Sequence, residues 1–208
     1  MKIKFAIFSV LSLVLVQFAI TGCKCSPSIV DKVAGEVKAA MGPVRFENEK
    51  QFRTTEAIMR LKDIRDIQIA YKSVNGKFTS NLDSLILFYN TGKLDVIIRE
   101  ESKINAYKRI QINVKDTLFN NRKNFVIDSI KYIPFSGKQK VEMESVIRTV
   151  SGVQVPLFEA RMPYKALLKG MDNQLIINLI NEKKSMNRYE GLKVGDVCTP
   201  NNNAGNWE

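Results

Sequence analysis

The feature that most constrains the fold is a helical stripe with a built-in stop. Ile58, Leu61, Ile64, Ile67, Tyr71 and Val74 recur at three- and four-residue steps, so on a helix they share one face. The opposite face is charged at helpful spacing, with Glu49 four residues before Arg53 and Glu56 four before Arg60. The pattern predicts a helix from about Phe46 to Val74, roughly 40 Å long at about 1.5 Å per residue. The turns before Ile58 are poorer in apolar residues, and we expect them to project from the body as a stalk. Asn75-Gly76 then stops the helix, because glycine enters the left-handed conformation that closes a helix C-terminus without a clash. Ser80 or Asn81 is placed to cap a second helix, with Leu82, Leu85, Ile86 and Tyr89 inward and Gly92 at its end. The short loop brings the two apolar stripes together.

After Gly92 the period changes from helix to strand. Asp95 to Arg99 is a short apolar run, and Ile110, Ile112 and Val114 alternate. Phe125 to Phe135 is rich in β-branched and aromatic residues and reads as another strand. Lys140 to Val150 and Val153 to Glu159 flank Ser151-Gly152, which predicts a hairpin. Pro156 places its strand at an edge or a bulge. A helix is expected after Pro163, and another capped by Asp172 with Leu175, Ile176, Leu179 and Ile180 inward. Leu192 to Val197 reads as a last strand. Trp207 is expected to dock into a groove and pin the polar tail Asn201–Glu208, though such a ring can also stack on a sugar or a partner peptide. The fold class is therefore α+β: a long N-terminal helix and a short second helix packed on an antiparallel β-sheet, with further short C-terminal helices.

The chain start carries an address. Lys2 and Lys4 precede an uncharged apolar run from Phe5 to Ile20, the pattern of an export signal. The run is slightly short for a bilayer span, which takes roughly 20 residues. Ile20-Thr21-Gly22-Cys23 resembles the lipobox of bacterial lipoproteins, which implies lipidation of Cys23. An uncleaved transmembrane anchor and a simple cleaved signal are the alternatives. All three place the body outside the cytoplasm, in the bacterial cell envelope, either periplasmic or at the cell surface. The organisation expected is a signal peptide or membrane anchor over 1–22, a Pro- and Gly-bearing tether over 23–45, and one α+β extracytoplasmic domain over 46–208. If Cys23 carries lipid, Cys25 and Cys198 remain as a possible disulfide or as two unrelated thiols.

The residues of the first hairpin also resemble a known family. Tyr71, Asn75-Gly76, Phe78 and Leu82 follow the order found in type IV pilin-like proteins, especially the major pseudopilins of type II secretion. There a long N-terminal helix ends near a Tyr, then come Asn-Gly, an aromatic residue, a short second helix and an antiparallel sheet. The resemblance covers roughly residues 47 to 92. Thr79 stands where a proline is usual, and the cleavage glycine and helix glutamate of pilins have no counterpart. More broadly, the body resembles uncharacterised bacterial envelope proteins that end in a similar Asn-rich, Gly-Asn-Trp tail, which implies localisation and fold but no activity.

Composition narrows the chemistry. No histidine occurs in 208 residues, so neither a Ser-His nor a Cys-His nucleophile pair can be built. No phosphate loop, G-x-S-x-G elbow or H-E-x-x-H motif is present. Asp63 and Asp66 share a helix face, but Lys62 and Arg65 flank them, and a solvated ion-paired face is expected. No cofactor or metal is implied. The formal charge is +11, and loss of Lys2 and Lys4 with a signal leaves +9. The basic residues are too scattered for nucleic acid, but Arg60, Lys62 and Arg65 are candidate contacts for an anionic surface. The expected function is a non-enzymatic, membrane-anchored structural or protein-interaction module, self-association included. The alternatives are a binding module for an anionic envelope polymer or membrane surface, and a histidine-free carboxylate hydrolase.

Overall fold

A computed structural model describes residues 27–99, 107–120, 122 and 125–208, with the backbone alone for 27–41, 98, 99, 107 and 108. The signal segment 1–22, Cys23 and Cys25 lie outside these residues. The chain divides into two compact units, Met1–Arg45 and Phe46–Glu208. In the first, only the helical segment from Pro27 is described; the remaining elements belong to the second.

Helix α1 runs Pro27–Asn75 with Pro43 inside it. It begins well before Phe46, in the stretch expected as a tether. Proline suits a first helical turn, and Lys32 to Ala40 is mostly good helix formers. The expectation of a stalk is overturned. Phe46 packs on the core, Ala57 is fully buried, and Arg53 Nη1 donates to the carbonyls of Lys169 at 2.9 Å and Leu167 at 3.3 Å. Leu61, Ile64 and Ile67 have no exposed surface, so the stripe is the core seam as predicted. Val74, at its far end, is instead half exposed at 51%.

The stop at Asn75-Gly76 is as predicted. Gly76 sits at φ +72° and its N–H donates to Lys72 O at 2.8 Å. Helix α2 (Leu82–Thr91) starts at Asn81, whose side chain accepts from the N–H groups of Asp83 and Ser84. Gln68 supplies a clamp that periodicity does not reveal. It is fully buried on α1, donates to Thr79 O at 2.5 Å and accepts from Thr79 N at 3.2 Å. A buried amide satisfied on both sides fixes the loop at little net cost. Phe78 then packs at a tilt against Phe158 of the sheet, with ring centroids 4.7 Å apart.

Strands β1 (Lys93–Arg99) and β2 (Tyr107–Asn113) form a two-stranded antiparallel ribbon. A four-residue helix, α3 (Val114–Thr117), follows and buries Val114. The expected strand over 125–135 is a correction: a short 3₁₀ helix occupies Ile127–Lys131. Ser136 explains the difference. Its Oγ donates to Ile133 O at 2.7 Å and accepts from Gln139 N at 3.0 Å, which turns the chain back on itself. Such local side-chain bonds compete with a ladder.

Strands β3 (Glu142–Val150), β4 (Val153–Pro163) and β5 (Gly191–Gly195) form a three-stranded antiparallel sheet in that order. Ser151 and Gly152, both at positive φ, close the predicted hairpin with Val150 opposite Val153. β4 is central, yet β5 pairs only with its second half, Glu159–Pro163. Pro156 therefore sits where one side of β4 is open, and its missing N–H is no loss. Helices α4 (Tyr164–Leu167) and α5 (Asn173–Ser185) lie between β4 and β5, and Asp172 caps α5 by accepting from Leu175 N. Phe158, Ala160 and Met162 face the α1 stripe and complete the core.

Candidate functional site

The basic trio on α1 is largely consumed by internal contacts. Arg60 Nη1 donates to Tyr132 O at 2.5 Å, and burial pushes its pKa down from the usual guanidinium value. Arg65 Nη1 meets Glu208 Oε1 at 2.7 Å in the tail. Lys62 is exposed. The acidic pair also departs from expectation, because Asp63 is buried at 5% exposure rather than solvated. Burial raises its pKa, and Arg122, with Nη1 at 2.7 Å from Oδ1, pulls it partly back. The contact is an ion pair whose N–H directions miss hydrogen-bond geometry. The Arg122 guanidinium also lies 4.7 Å above the Phe119 ring. This arrangement holds the loop after α3 against α1, and it leaves no open pair of carboxylates on that face.

A cleft of about 590 Å³ opens between the end of α5, the start of β5 and the tail. That volume falls in the usual range of ligand pockets, about 300–1,000 Å³. Lys183, Arg188 and Lys193 line it together with Tyr164, Tyr189 and Trp207. Burial is the main cause that pushes Tyr189 up to about 12, so its hydroxyl stays a neutral donor. Burial disfavours the Lys193 charge, but hydrogen bonds to Asp196 and Glu159 at 3.1 Å outweigh it and keep its pKa raised. Among the described residues Lys183 and Arg188 have no ion-pair partner within 4 Å. The one carboxylate lining the cleft, Glu208, is engaged by Arg65. The cleft thus offers cations, phenols and an indole, a lining suited to holding an anion. Of these residues the sequence pattern singles out only Trp207; Lys183, the alternation Arg188-Tyr189 and the nearby Lys193 are the signal for the rest.

The three-stranded sheet has two unlike edges. The tail seals the edge of β5. Gly195 N donates to Ala204 O and Asn206 N to Lys193 O, both at 3.0 Å, and the Asn206 side chain joins Lys193 N and Gly191 O. Trp207 packs against the core beside Gly205. The edge of β3 is different. A two-residue turn makes Val150–Val153 a hydrogen-bonded pair, so the even residues of β3 point their backbone groups at β4. The N–H and C=O groups of Met143, Ser145, Ile147 and Thr149 then point outward. Lys131 to Ile133 cover that outer side only as far as Val141. Beyond it, among the described residues, no backbone partner meets the edge. Ile147 there is 57% exposed.

Cys198 is exposed in a turn where Asp196 accepts from the N–H groups of Cys198 and Thr199. Its candidate partner Cys25 and the lipidation candidate Cys23 lie outside the described residues. No known protein family matches this sequence, and no curated protein or solved structure matches it closely enough to carry an argument.

Proposed function

We propose that this is a membrane-anchored protein of the bacterial cell envelope whose α+β body works through protein contacts rather than by catalysing a reaction. The observation that carries the reading is the outer edge of β3. An exposed, unpaired edge is a template for another strand, and native proteins usually blunt such edges with lysine, proline, a bulge or a cover. From Met143 to Thr149 this edge carries no lysine, proline or bulge, and its two charged residues, Glu144 and Arg148, are of opposite sign, which a paired strand can complement. Anchoring through Cys23, as the lipobox-like start suggests, would concentrate the body at a membrane. The pilin-like order of the first hairpin fits the same reading, since it supports a sheet on a long helix.

Photocrosslinking in intact cells from a probe at Thr149 tests this. Defined protein adducts support the proposal, and a body that crosslinks to nothing overturns it. Labelling with fatty acid, wild type against Cys23→Ala, tests the anchor: label that persists without Cys23 removes the lipobox assignment. A second reading is favoured by the cleft, whose cations and aromatic rings suit an anionic envelope polymer. Its test is salt-sensitive retention on such a polymer, lost in Lys183→Gln/Arg188→Gln. Retention indifferent to salt and to both substitutions dismisses it.

A further inference from the structure

We infer that the open edge of β3 is the site at which two copies of this chain join, strand to strand, antiparallel about a two-fold axis at Val146. The inference rests on the protein-contact reading above and names the partner. Isologous pairing of one strand with itself is the simplest closed assembly, because the same surface serves both copies.

The register follows from the residues. With Val146 opposite its own copy, Ser145 faces Ile147 and Met143 faces Thr149. These are the residues whose backbone groups point outward, so all of them enter hydrogen-bonded pairs. The even residues fall in the close, non-hydrogen-bonded pairs. There Glu144 of each copy faces Arg148 of the other, so opposite charges meet twice. Arg148 serves this contact by turning its guanidinium outward, which exchanges its present bond from Nε to Val197 O, on the β4–β5 side of the sheet, for the carboxylate of the second copy. Among the described residues Glu144 has one loose internal partner, Arg161 at 3.8 Å.

The extent of pairing also fits. Full overlap runs from Glu142 to Val150 and ends one residue short of Val141, where Lys131 to Ile133 already cover the edge. Beside Ser145 lies a recess of about 350 Å³, bounded by Tyr71, Phe78 and Ile147. Ile147 of the second copy, opposite Ser145, lands against it. The half-exposed isoleucine thereby buries apolar surface against the recess of the other copy. Shifting the axis to Ile147 places Glu144 opposite Val150 and loses both charge pairs, which is why Val146 is chosen.

The test uses the full-length chain in its membrane, in a background with Cys25 and Cys198 replaced by serine. Val146→Cys brings two thiols to a pair with about 4.5 Å between Cα atoms, close enough for a disulfide. The expected result is a disulfide-linked dimer from Val146→Cys and at least tenfold less from Gln154→Cys, on the far side of the hairpin. Arg148→Glu and Glu144→Arg are each expected to weaken dimerisation at least tenfold. The double variant Glu144→Arg/Arg148→Glu restores the pairing with charges reversed, and that rescue does not depend on an introduced cysteine. Equal crosslinking at 146 and 154, or no rescue in the double variant, overturns the inference. A monomer that still yields adducts with other proteins from Thr149 overturns only the self-pairing. A chain that yields no adducts of any kind overturns the protein-contact reading as well.

Discussion

The two edges of one three-stranded sheet have opposite fates. At β5 the chain returns and seals the edge with Ala204, Gly205 and Asn206, and it anchors the seal with Trp207 and the Glu208–Arg65 pair. At β3 the chain covers the edge up to Val141, and from Met143 to Thr149 no backbone partner meets it among the described residues. A chain that spends its last residues on one edge has the means to protect the other, for instance with a lysine. The contrast points to selective exposure, and substitutions that reverse it are the direct checks.

The largest expected effect is at the sealed edge. Gly195 holds φ +74°, and a Cβ there would run into the carbonyl of Phe158 on β4. A left-handed non-glycine residue alone costs about 1–2 kcal/mol, and the backbone overlap adds to it. We expect Gly195→Ala to lose at least about 3 kcal/mol in urea unfolding, toward the exceptional end for single substitutions. Gly152→Ala, at the tip of the β3–β4 hairpin, has the same kind of φ with open space around it. It should lose only the conformational part, about 1–2 kcal/mol. Equal losses at the two sites would mean that β5 is not held as tightly as its contacts imply.

Next in size is Trp207→Ala. A fully buried Trp lost to Ala costs about 3–5 kcal/mol, and this ring is only partly buried, so about 2–3 kcal/mol is expected. The substitution should also unseal the β5 edge, which hydrogen exchange at Lys193 and Gly195 would report as faster opening. Protection unchanged at those amides would show that Asn206 and Gly205 seal the edge without the ring.

These contrasts also mark what a sequence makes legible. The α1–α2 hairpin is readable because its information is local: a periodic stripe, Gly76 as a stop and Asn81 as a cap. The β3–β4 hairpin is readable for the same reason, from Ser151-Gly152 between two β-rich runs. The segment 127–131 misleads, because Ile127, Ile130 and Ile133 have strand composition while Ser136 supplies a competing turn. The pairing of the tail with β5 is hidden, since Ala, Gly and Asn are depleted in strands and Asn206 pairs partly through its side chain. The buried state of Asp63 and the engagement of Arg60 and Arg65 depend on Arg122, Tyr132 and Glu208, which lie far off in sequence. Edge identity is likewise non-local. The spacing of Glu144 and Arg148 puts them on one face of a strand, but only the strand order shows that this strand lies at an edge.

A smaller effect is expected from acid. The hydrogen bond from Arg65 holds the Glu208 carboxyl below its ordinary value. A carboxylate depressed in the folded state contributes stability that is present above its unfolded pKa, about 4.3, and is lost as pH falls through the lower folded value. Trp207 is the only tryptophan, so its fluorescence reports the adjoining tail directly. Between pH 7 and about 5 the emission should hold steady, then change below about pH 4 as the tail loosens. Glu208→Gln should remove that early step and leave global acid unfolding in place. An identical profile in Glu208→Gln would show that the ion pair does not secure the seal.

The smallest effect on stability is expected at the open edge, and it is the most diagnostic. Ile147 is half exposed and its side chain leaves space to be solvated, so Ile147→Lys should change stability by no more than about 0.5 kcal/mol. Yet a lysine on an exposed edge is the device by which sheets avoid pairing, because its charge must be desolvated when another strand arrives. In a paired dimer the two lysines would also lie diagonally across the two-fold axis and repel. A folded, equally stable variant that has lost its association, measured by sedimentation of the detergent-solubilised chain, would separate the two edges by role: one is closed for the fold, the other is left open for a partner. Unchanged association in Ile147→Lys would instead place the contact elsewhere on the body, with the cleft beside the sealed edge as the next surface to vary.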